Sequence, residues 1–458
     1  MDNELKNFIE DNFDFLVKLY NRYIRYILRE SSVIEYYASP YMNLLGYPSS
    51  KFITFCIKYY NKKYNRNILI KHEKSSAINN LYLYIKLLII FIFSGMFFSK
   101  RIKRNSIVIH GFHSDDNFNY KPYKTIKTPP FESFHNKIIY HDINISFISL
   151  KSLFKYKKNN IICSIRYINL FEFIHIHYIA LKIFIKSKKI NLFPVSFVHI
   201  IYTLVKGISI SNLINNLDNK SKYLQMYENR GYNLITDYLI QDKNKSIFLD
   251  LGIMFRLSPE YMMFNYKRHT LKCKFLFMSE FNYELIKNKL GNIDYELFKN
   301  YRIDCKSYNN ESKKNSILLI SPLSLEVSES LYKLILDNKN EKLNIKIRLH
   351  PYLNRKSFDT KYIEYRNIYE LLDDYDTIIY SGITTASIEL YFQGKKVYKY
   401  ISNEFIDIDP LTDKNLVKKI KSLSDIGDNV KIYTKEEKAY YLGCDNKNLK
   451  EILKEIEQ

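Results

Sequence analysis

Short apolar runs alternate with helical patterns along most of this 458-residue chain, and this alternation restricts the folds that the chain can adopt. It occurs twice, first between residues 105 and 305 and again from residue 317 onwards. A strand followed by a helix and a further strand is typical of parallel sheets with helices on both faces. We therefore predict an α/β fold with two Rossmann-like domains facing a cleft, preceded by a mostly helical N-terminal extension.

The first series contains six strand-like runs and the second contains four. Strands are predicted at residues 106–112, 137–140, 160–165, 223–227, 247–251, 275–278, 317–320, 344–349, 377–380 and 396–400. Helices are predicted at residues 170–185, 195–216, 283–290, 326–336, 368–374 and 385–392. The polar segment 306–316 is a linker candidate between the two series.

These patterns divide the chain into four predicted parts. The parts are a helical, basic region over residues 1–104, an acceptor-side Rossmann-like domain over 105–305, a donor-binding Rossmann-like domain over 317–445 and a C-terminal helix over 446–458.

The most apolar stretch of the chain, residues 81–98, ends just before the basic run 100–104. Its apolar core, 87–98, has 12 residues and follows Lys86, whereas a membrane-spanning helix needs about 20 apolar residues. Three interpretations stay open: a buried core helix, an interfacial helix anchored by the basic run, and a membrane span.

The formal net charge of +22, from 70 Lys and Arg against 48 Asp and Glu, raises the question of a nucleic-acid partner. The chain is also rich in Asn, Ile and Tyr, with only 11 Gly, 10 Pro and no Trp, as expected from an AT-rich coding sequence. No nucleic-acid-binding motif occurs, and the aromatic residues are scattered. We expect no nucleic-acid partner, although the charge still favours anionic partners such as nucleotides or an anionic membrane surface.

The cysteines and the N-terminus indicate the compartment. Five Cys lie far apart in the sequence, which argues against a disulfide framework or a zinc ribbon and fits a reducing environment. The polar, acidic start does not resemble a secretory signal, so we expect a cytoplasmic protein.

A first candidate motif, Arg348-Leu349-His350-Pro351, follows the strand predicted at 344–349. Open α/β sheets bind ligands at the carboxyl ends of their strands. Pro351 disfavours continued pairing, and the His350 imidazole can donate a hydrogen bond to a phosphate. Arg348 adds positive charge. A strand-end histidine packed in a loop is the alternative.

A second candidate motif joins the strand predicted at 377–380 to the helix predicted at 385–392. Thr384 is the expected N-cap, and a helix start collects N–H donors that suit a phosphate. Ser381 and Thr385 add hydroxyl groups, and Gly382 allows close approach of the backbone. Glu389 lies one turn after Thr385 and could accept hydrogen bonds from ribose hydroxyls. An ordinary capped helix with a solvent-facing Glu is the alternative.

These two motifs carry a resemblance to a known superfamily. Residues 345–351 (IKIRLHP) and 380–398 (YSGITTASIELYFQGKKVY) resemble the nucleotide-binding domain of GT-B-type enzymes of bacterial surface-polysaccharide synthesis. These enzymes include sialyltransferases and polysialyltransferases that use CMP-activated sugars, and CDP-glycerol glycerophosphotransferases. Residues 227–230, 251–261 and 275–291 resemble, more loosely, surface-carbohydrate biosynthesis proteins of the same superfamily.

The resemblance implies a set of roles at the donor. It implies that His350 lies near the donor phosphate, that Ser381, Thr384 and Thr385 surround that phosphate, and that Glu389 points toward the ribose. Together with the motif analysis, it gives a predicted nucleotide-donor site of Arg348, His350, Pro351, Ser381, Gly382, Thr384, Thr385 and Glu389.

The predicted activity is that of a metal-independent glycosyltransferase. No DxD motif or acidic cluster lies near these motifs, so we expect no metal and no cofactor besides the nucleotide-sugar substrate. Glu228, after the strand predicted at 223–227, is the candidate base for the acceptor hydroxyl, and His350 would stabilise the leaving phosphate. Glu228 could instead be an acid at a helix N-terminus, and Asp115, Asp116 and Asp250 are other candidate acids.

The expected substrates follow from this activity. The donor is a nucleotide-activated sugar, preferably a CMP-linked acidic sugar, and the acceptor is a glycan of a lipopolysaccharide or capsule, or a lipid-linked acceptor. Peripheral contact with the inner face of the cytoplasmic membrane is left open as a hypothesis. The alternatives are transfer of a polyol phosphate from a CDP-linked donor, and a catalytically degenerate protein that binds glycans or nucleotides.

Overall fold

The computed structural model describes a large part of the chain, with gaps. The described residues are 3–12, 15–16, 18–20, 22, 50–68, 77–97, 102, 104–111, 138–142, 161–189, 197–227, 235–237, 239–250, 273–290, 293–299, 316–322, 325–338, 343–350, 353, 358–366, 368, 371, 374–382, 384–401, 411, 416–427 and 433–457.

Seven parallel strands of the described chain form a first sheet. They are β1 (Ile107–Gly111), β2 (Ile138–Asp142), β3 (Ile161–Cys163), β4 (Lys222–Tyr227), β5 (Ser246–Asp250), β6 (Lys274–Phe277) and β7 (Tyr295–Leu297). Their order across the sheet is β3-β2-β1-β4-β5-β6-β7. This is a Rossmann order, in which the strand sequence reverses direction between β1 and β4 and creates a crevice at their carboxyl ends.

Five further parallel strands form a second sheet. They are β8 (Ser316–Ile320), β9 (Asn344–Arg348), β10 (Thr377–Tyr380), β11 (Lys396–Tyr400) and β12 (Lys418–Ile420). Their order is β12-β11-β10-β8-β9, the flavodoxin-like arrangement. The strand order of this sheet reverses between β8 and β10, so the corresponding crevice lies at the carboxyl ends of these two strands.

Ten α-helices have bounds within the described residues. They are α1 (Asn3–Asp11), α2 (Ser50–Tyr64), α3 (Ala77–Phe97), α4 (Leu170–Lys189), α5 (Phe197–Asn215), α6 (Glu280–Leu290), α7 (Leu325–Asp337), α8 (Thr385–Phe392), α9 (Lys435–Leu442) and α10 (Leu449–Glu457).

Both sheets bury both faces, as expected from strands whose successive side chains point to opposite sides. In β6, Phe275 and Phe277 pack in a core with residues of α5, whereas Leu276 packs in a second core that contains Leu449 and Ile452 of α10. In the second sheet, α7 covers one face and α8 covers the other. The α/β class predicted from the sequence, with two Rossmann-like sheets, is confirmed by this arrangement.

The apolar segment predicted at 81–98 lies largely within α3. Leu87 and Ile90 of this helix are buried, whereas Tyr82 and Ile92 are largely exposed. The helix packs against α4, where the Phe91 and Phe173 rings are stacked with centroids 3.9 Å apart. Within the described residues, no helix is long and apolar enough to cross a membrane.

The end of the chain returns to the first sheet. Lys447 forms a parallel bridge with Phe298, next to β7, and the Lys299 N–H donates to the Lys447 carbonyl at 2.8 Å. Helix α10 then buries Leu449 and Ile452 against residues of β1, β4, β5 and β6. The residue boundaries of the four predicted parts stay predictions.

Candidate functional site

The carboxyl edge of the second sheet brings the two predicted motifs to one side of the molecule. The register aligns Arg348 of β9 with Ile320 of β8, Ile320 with Tyr380 of β10, and Tyr380 with Lys399 of β11. Strands β9 and β10 are separated by β8, so their ends lie about 10 Å apart. The expectation that the segments after these strands reach the same sheet edge agrees with this register.

His350 lies two residues beyond β9 and is half-buried. Its backbone carbonyl accepts a hydrogen bond from the Leu353 N–H at 3.0 Å, which turns the chain just after the strand. Burial, and secondarily the charge of Arg348, lower the pKa of the His350 imidazole below its ordinary value. This shift favours the neutral imidazole near pH 7, and an anion beside the ring would favour its protonated form.

A serine turn between the two motifs was missed by the sequence analysis. Ser321 follows β8, and its N–H donates to the Arg348 carbonyl at 3.1 Å. Its hydroxyl donates to the Pro322 carbonyl at 2.9 Å and lies 2.5 Å from the hydroxyl of Ser328 in α7. The turn ties the ends of β8 and β9 to the first helix of the second sheet. The Ser-Pro pair directly after an apolar strand was the available signal.

Ser381 is fully buried in the turn after β10. Its hydroxyl donates to the backbone carbonyl of Tyr400, at the end of β11, with a distance of 3.0 Å. Gly382 follows with a φ of 70°, in the left-handed region that favours glycine. The first contribution of Ser381 and Gly382 is therefore to fix the path of the backbone between β10 and α8.

Thr384 occupies the N-cap position of α8, as predicted, with an extended backbone. Its side chain is half-exposed and makes no capping hydrogen bond in this described helix. The Ser387 hydroxyl instead donates to the Thr384 carbonyl at 2.7 Å. Thr385 is the first residue of α8. The N–H donors and positive dipole end of this helix therefore lie at the carboxyl edge, next to a hydroxyl that the cap does not use.

Two buried charged residues accompany this turn. Glu389, one turn into α8, has no exposed surface, so a ribose could contact it only if the covering groups move. Its predicted ribose contact stays a prediction. Lys399 of β11 is 3% exposed, and its ammonium lies 5.6 Å from the centroid of the Tyr380 ring. This lysine, which the sequence analysis did not identify, places a cationic side chain close to the end of β10.

The remaining predicted residues lie outside the described part of the chain. These are Glu228, Pro351, Asp115 and Asp116. Glu228 directly follows Tyr227, the last residue of β4, which pairs with β1 at the point where the strand order of the first sheet reverses. Asp250 is the last residue of β5.

In the part of the chain that the structure describes, no group of three or more His, Cys, Asp or Glu residues could hold a metal ion.

The structure of this chain was compared with solved protein structures, and its sequence with family models and curated proteins. No family model matches the chain, and no curated protein matches its sequence. The structure is similar to a crystal structure of the glycotransferase of kitacinnamycin, with a TM-score of 0.32, 10% identity, and coverage of 78% of this chain and 94% of that chain. It is also similar to a structure of the wall teichoic acid polymerase TagF with CDPG, with a TM-score of 0.33, 9% identity, and coverage of 84% and 97%.

Proposed function

We propose that this protein is a GT-B-like glycosyltransferase that binds a nucleotide-activated sugar at the carboxyl edge of its second sheet. The observation that carries the proposal is the shared edge of β9, β8 and β10, which places His350 and the start of α8 beside the point of strand reversal. Anionic ligands of open α/β sheets bind in this place.

The donor phosphate would be held by groups with different roles. The Thr384 hydroxyl and the N–H groups at the start of α8 would donate hydrogen bonds, while Arg348 and Lys399 would supply positive charge. His350 would donate to a phosphate oxygen and stabilise the charge that develops as the nucleotide leaves. Ser381 and Gly382 would shape the turn. We propose that this set acts without a metal ion.

The acceptor would be activated from the first sheet. Glu228 directly follows β4, beside the end of β1. A carboxylate there can take the proton of an acceptor hydroxyl as this oxygen attacks the anomeric carbon. The new bond joins the acceptor oxygen to the sugar, and the bond between the sugar and the nucleotide phosphate breaks. The motif resemblance favours a CMP-linked acidic sugar and a surface glycan or lipid-linked acceptor.

Nucleotide binding tests the donor site directly. We expect CMP or CDP to raise the melting temperature more than UDP or GDP, because a ligand that binds only the folded state stabilises it. A bound phosphate should raise the lowered pKa of His350, so binding should take up a proton and tighten as the pH falls from 8 towards 6.5. His350→Gln should weaken binding about tenfold or more at pH 6.5 and remove this pH dependence.

An exposed lysine outside the proposed donor site provides the control for that experiment. Lys361→Gln removes a charge from an exposed side chain that pairs with Asp359, and it should leave nucleotide binding unchanged. Absence of any nucleotide-induced stabilisation, or equal binding by the wild type and His350→Gln at every pH, would contradict the proposed donor site.

A measurement of transfer activity beside nucleotide binding tests whether Glu228 acts on the acceptor or on the donor. Glu228→Gln should abolish transfer while preserving nucleotide binding. Mass analysis of the product then distinguishes the addition of a sugar from the addition of a polyol phosphate. Loss of nucleotide binding in Glu228→Gln would remove this residue from the acceptor side.

A further inference from the structure

Helix α4 is apolar on its solvent-facing side as well as on its buried side. Phe173, Ile176, Ala180 and Ile183 are buried. Six large apolar side chains on the other side are between 47% and 83% exposed: Leu170, Phe171, Ile174, Tyr178, Leu181 and Ile185. A helix at the surface of a soluble protein normally presents polar residues to water. This second apolar face indicates that the helix meets a further apolar surface.

Helix α3 extends the same surface. Leu81, Tyr82, Ile85, Ile92 and Phe93 are between 42% and 66% exposed. The two helices run antiparallel, because Tyr84 bonds to His177 at 3.1 Å whereas Phe91, further along α3, stacks on Phe173, earlier in α4.

The exposed stripes of the two helices face the same way. Successive residues of a helix are rotated by about 100° around its axis. In both helices this rotation leads from the buried face, through the face that contacts the other helix, to the main exposed stripe. Because the helices are antiparallel, this shared order places both exposed stripes on the same side. Large exposed apolar side chains of both helices therefore lie side by side, and a contiguous apolar surface of this kind marks an interaction site.

The charges around this surface are positive. Lys188 and Lys189 are exposed in the last turn of α4, and Lys182 is exposed two turns earlier. The Lys182 ammonium lies 4.6 Å from the Tyr178 ring centroid. The sole acidic residue in the α4 sequence, Glu172, accepts hydrogen bonds from the Asn169 N–H at 2.8 Å and the Asn212 side chain at 3.0 Å. These hydrogen bonds hold the Glu172 carboxylate at the amino-terminal end of α4, away from the lysines.

We propose that the outer face of α3 and α4 binds the surface of an anionic lipid bilayer. Apolar side chains would enter the boundary between headgroups and acyl chains by about 5–10 Å, while the lysines reach the anionic headgroups. The lysines at the margin complement the headgroups of anionic lipids, which attract each of them. The helices would lie on the membrane and not cross it.

A single tryptophan reports this contact, because the chain contains no Trp. Phe171→Trp places the probe at the most exposed position of the stripe, and Tyr365→Trp, at a position 52% exposed in the second half, is the matched control. Vesicles of phosphatidylcholine with phosphatidylglycerol should shift the emission of the first variant to the blue and leave the control unchanged. Vesicles of phosphatidylcholine alone should bind at least tenfold more weakly.

Substitution of the stripe provides the second measurement. The triple variant Phe171→Ser, Ile174→Ser, Ile185→Ser should lose vesicle co-sedimentation at least tenfold. The control variant Leu325→Ser, Leu336→Ser, Ile401→Ser changes side chains between 39% and 43% exposed elsewhere and should bind as the wild type does. Circular dichroism checks that each variant is folded.

Two results would overturn the proposal. One is an unchanged Trp emission with anionic vesicles. The other is a lipid-free dimer that the stripe variant converts to a monomer while neither protein binds vesicles, since the occupant would then be a second copy of the chain.

Discussion

Ser381 and Thr384 are hydroxyl residues three positions apart in one predicted motif, but they lie in different surroundings. Ser381 is fully buried and donates to the Tyr400 carbonyl, which joins the ends of β10 and β11. Thr384 is half-exposed at the N-cap of α8 and makes no capping bond. Both hydroxyls were predicted to bind phosphate, because the partner of Ser381 lies 19 residues further along the chain and gives no local signal. At this scale, burial separates a residue that holds the turn from one that is available to a ligand.

Alanine substitution should separate these two roles. Ser381→Ala removes the hydrogen bond to the part-buried Tyr400 carbonyl and should lower the free energy of unfolding by about 1 kcal/mol. Thr384→Ala removes no capping bond and should change it by less than about 0.5 kcal/mol, while weakening nucleotide binding. Urea unfolding and nucleotide titration measure the two effects. Equal destabilisation by both substitutions would show that Thr384 also supports the fold.

At the scale of single elements, the limits of a helix or strand were predicted most accurately where residues with strong local preferences lie at its two ends. Helix α8 was predicted at its observed limits, because Thr384 begins it and Gly394, with a φ of 91°, follows its end. Strands β7 and β12 were missed. Each has three residues and pairs at one edge of its sheet, and both carry exposed side chains, so they lack the apolar pattern of central strands. The Ser321 turn was missed because its bonds depend on pairing with β9.

Helix α9 ends at Gly443, where backbone atoms of other segments leave no room for a side chain. Gly443 has a φ of 67°, and an added Cβ would lie 2.1 Å from the Met278 carbonyl oxygen and 3.0 Å from that of Phe298. Gly443→Ala should therefore cost more than about 2 kcal/mol of unfolding free energy. Gly427→Ala, where no atom lies within 4 Å of the added Cβ, is the control and should be nearly neutral. Thermal unfolding measures both, and a Gly443→Ala variant as stable as the control would contradict the close approach.

At the scale of the whole molecule, the chain after the second sheet connects the two halves. Phe281 of α6 belongs to the core of the second sheet, and its ring lies 5.1 Å from that of Tyr441 in α9. The backbone then passes Gly443, pairs Lys447 with Phe298 and ends in α10 on the first sheet. Phe281, which precedes the second sheet in sequence, thus packs in the core of that sheet. Helix α10, which follows the second sheet, packs on the first sheet. We infer that the stability of either half depends on these crossing contacts.

This dependence predicts a shared unfolding transition that responds to α10. Ile452 is fully buried against the first sheet, so Ile452→Ala should cost about 2–5 kcal/mol. In calorimetry we expect one transition for the wild type, and a lower midpoint for the whole transition in this variant. Lys454→Ala, at an exposed position of the same helix, should leave the midpoint within about 1–2 °C, because surface changes usually alter stability by less than 0.5 kcal/mol. Two separate transitions in the wild type, with neither shifted by Ile452→Ala, would show that α10 does not couple the two sheets.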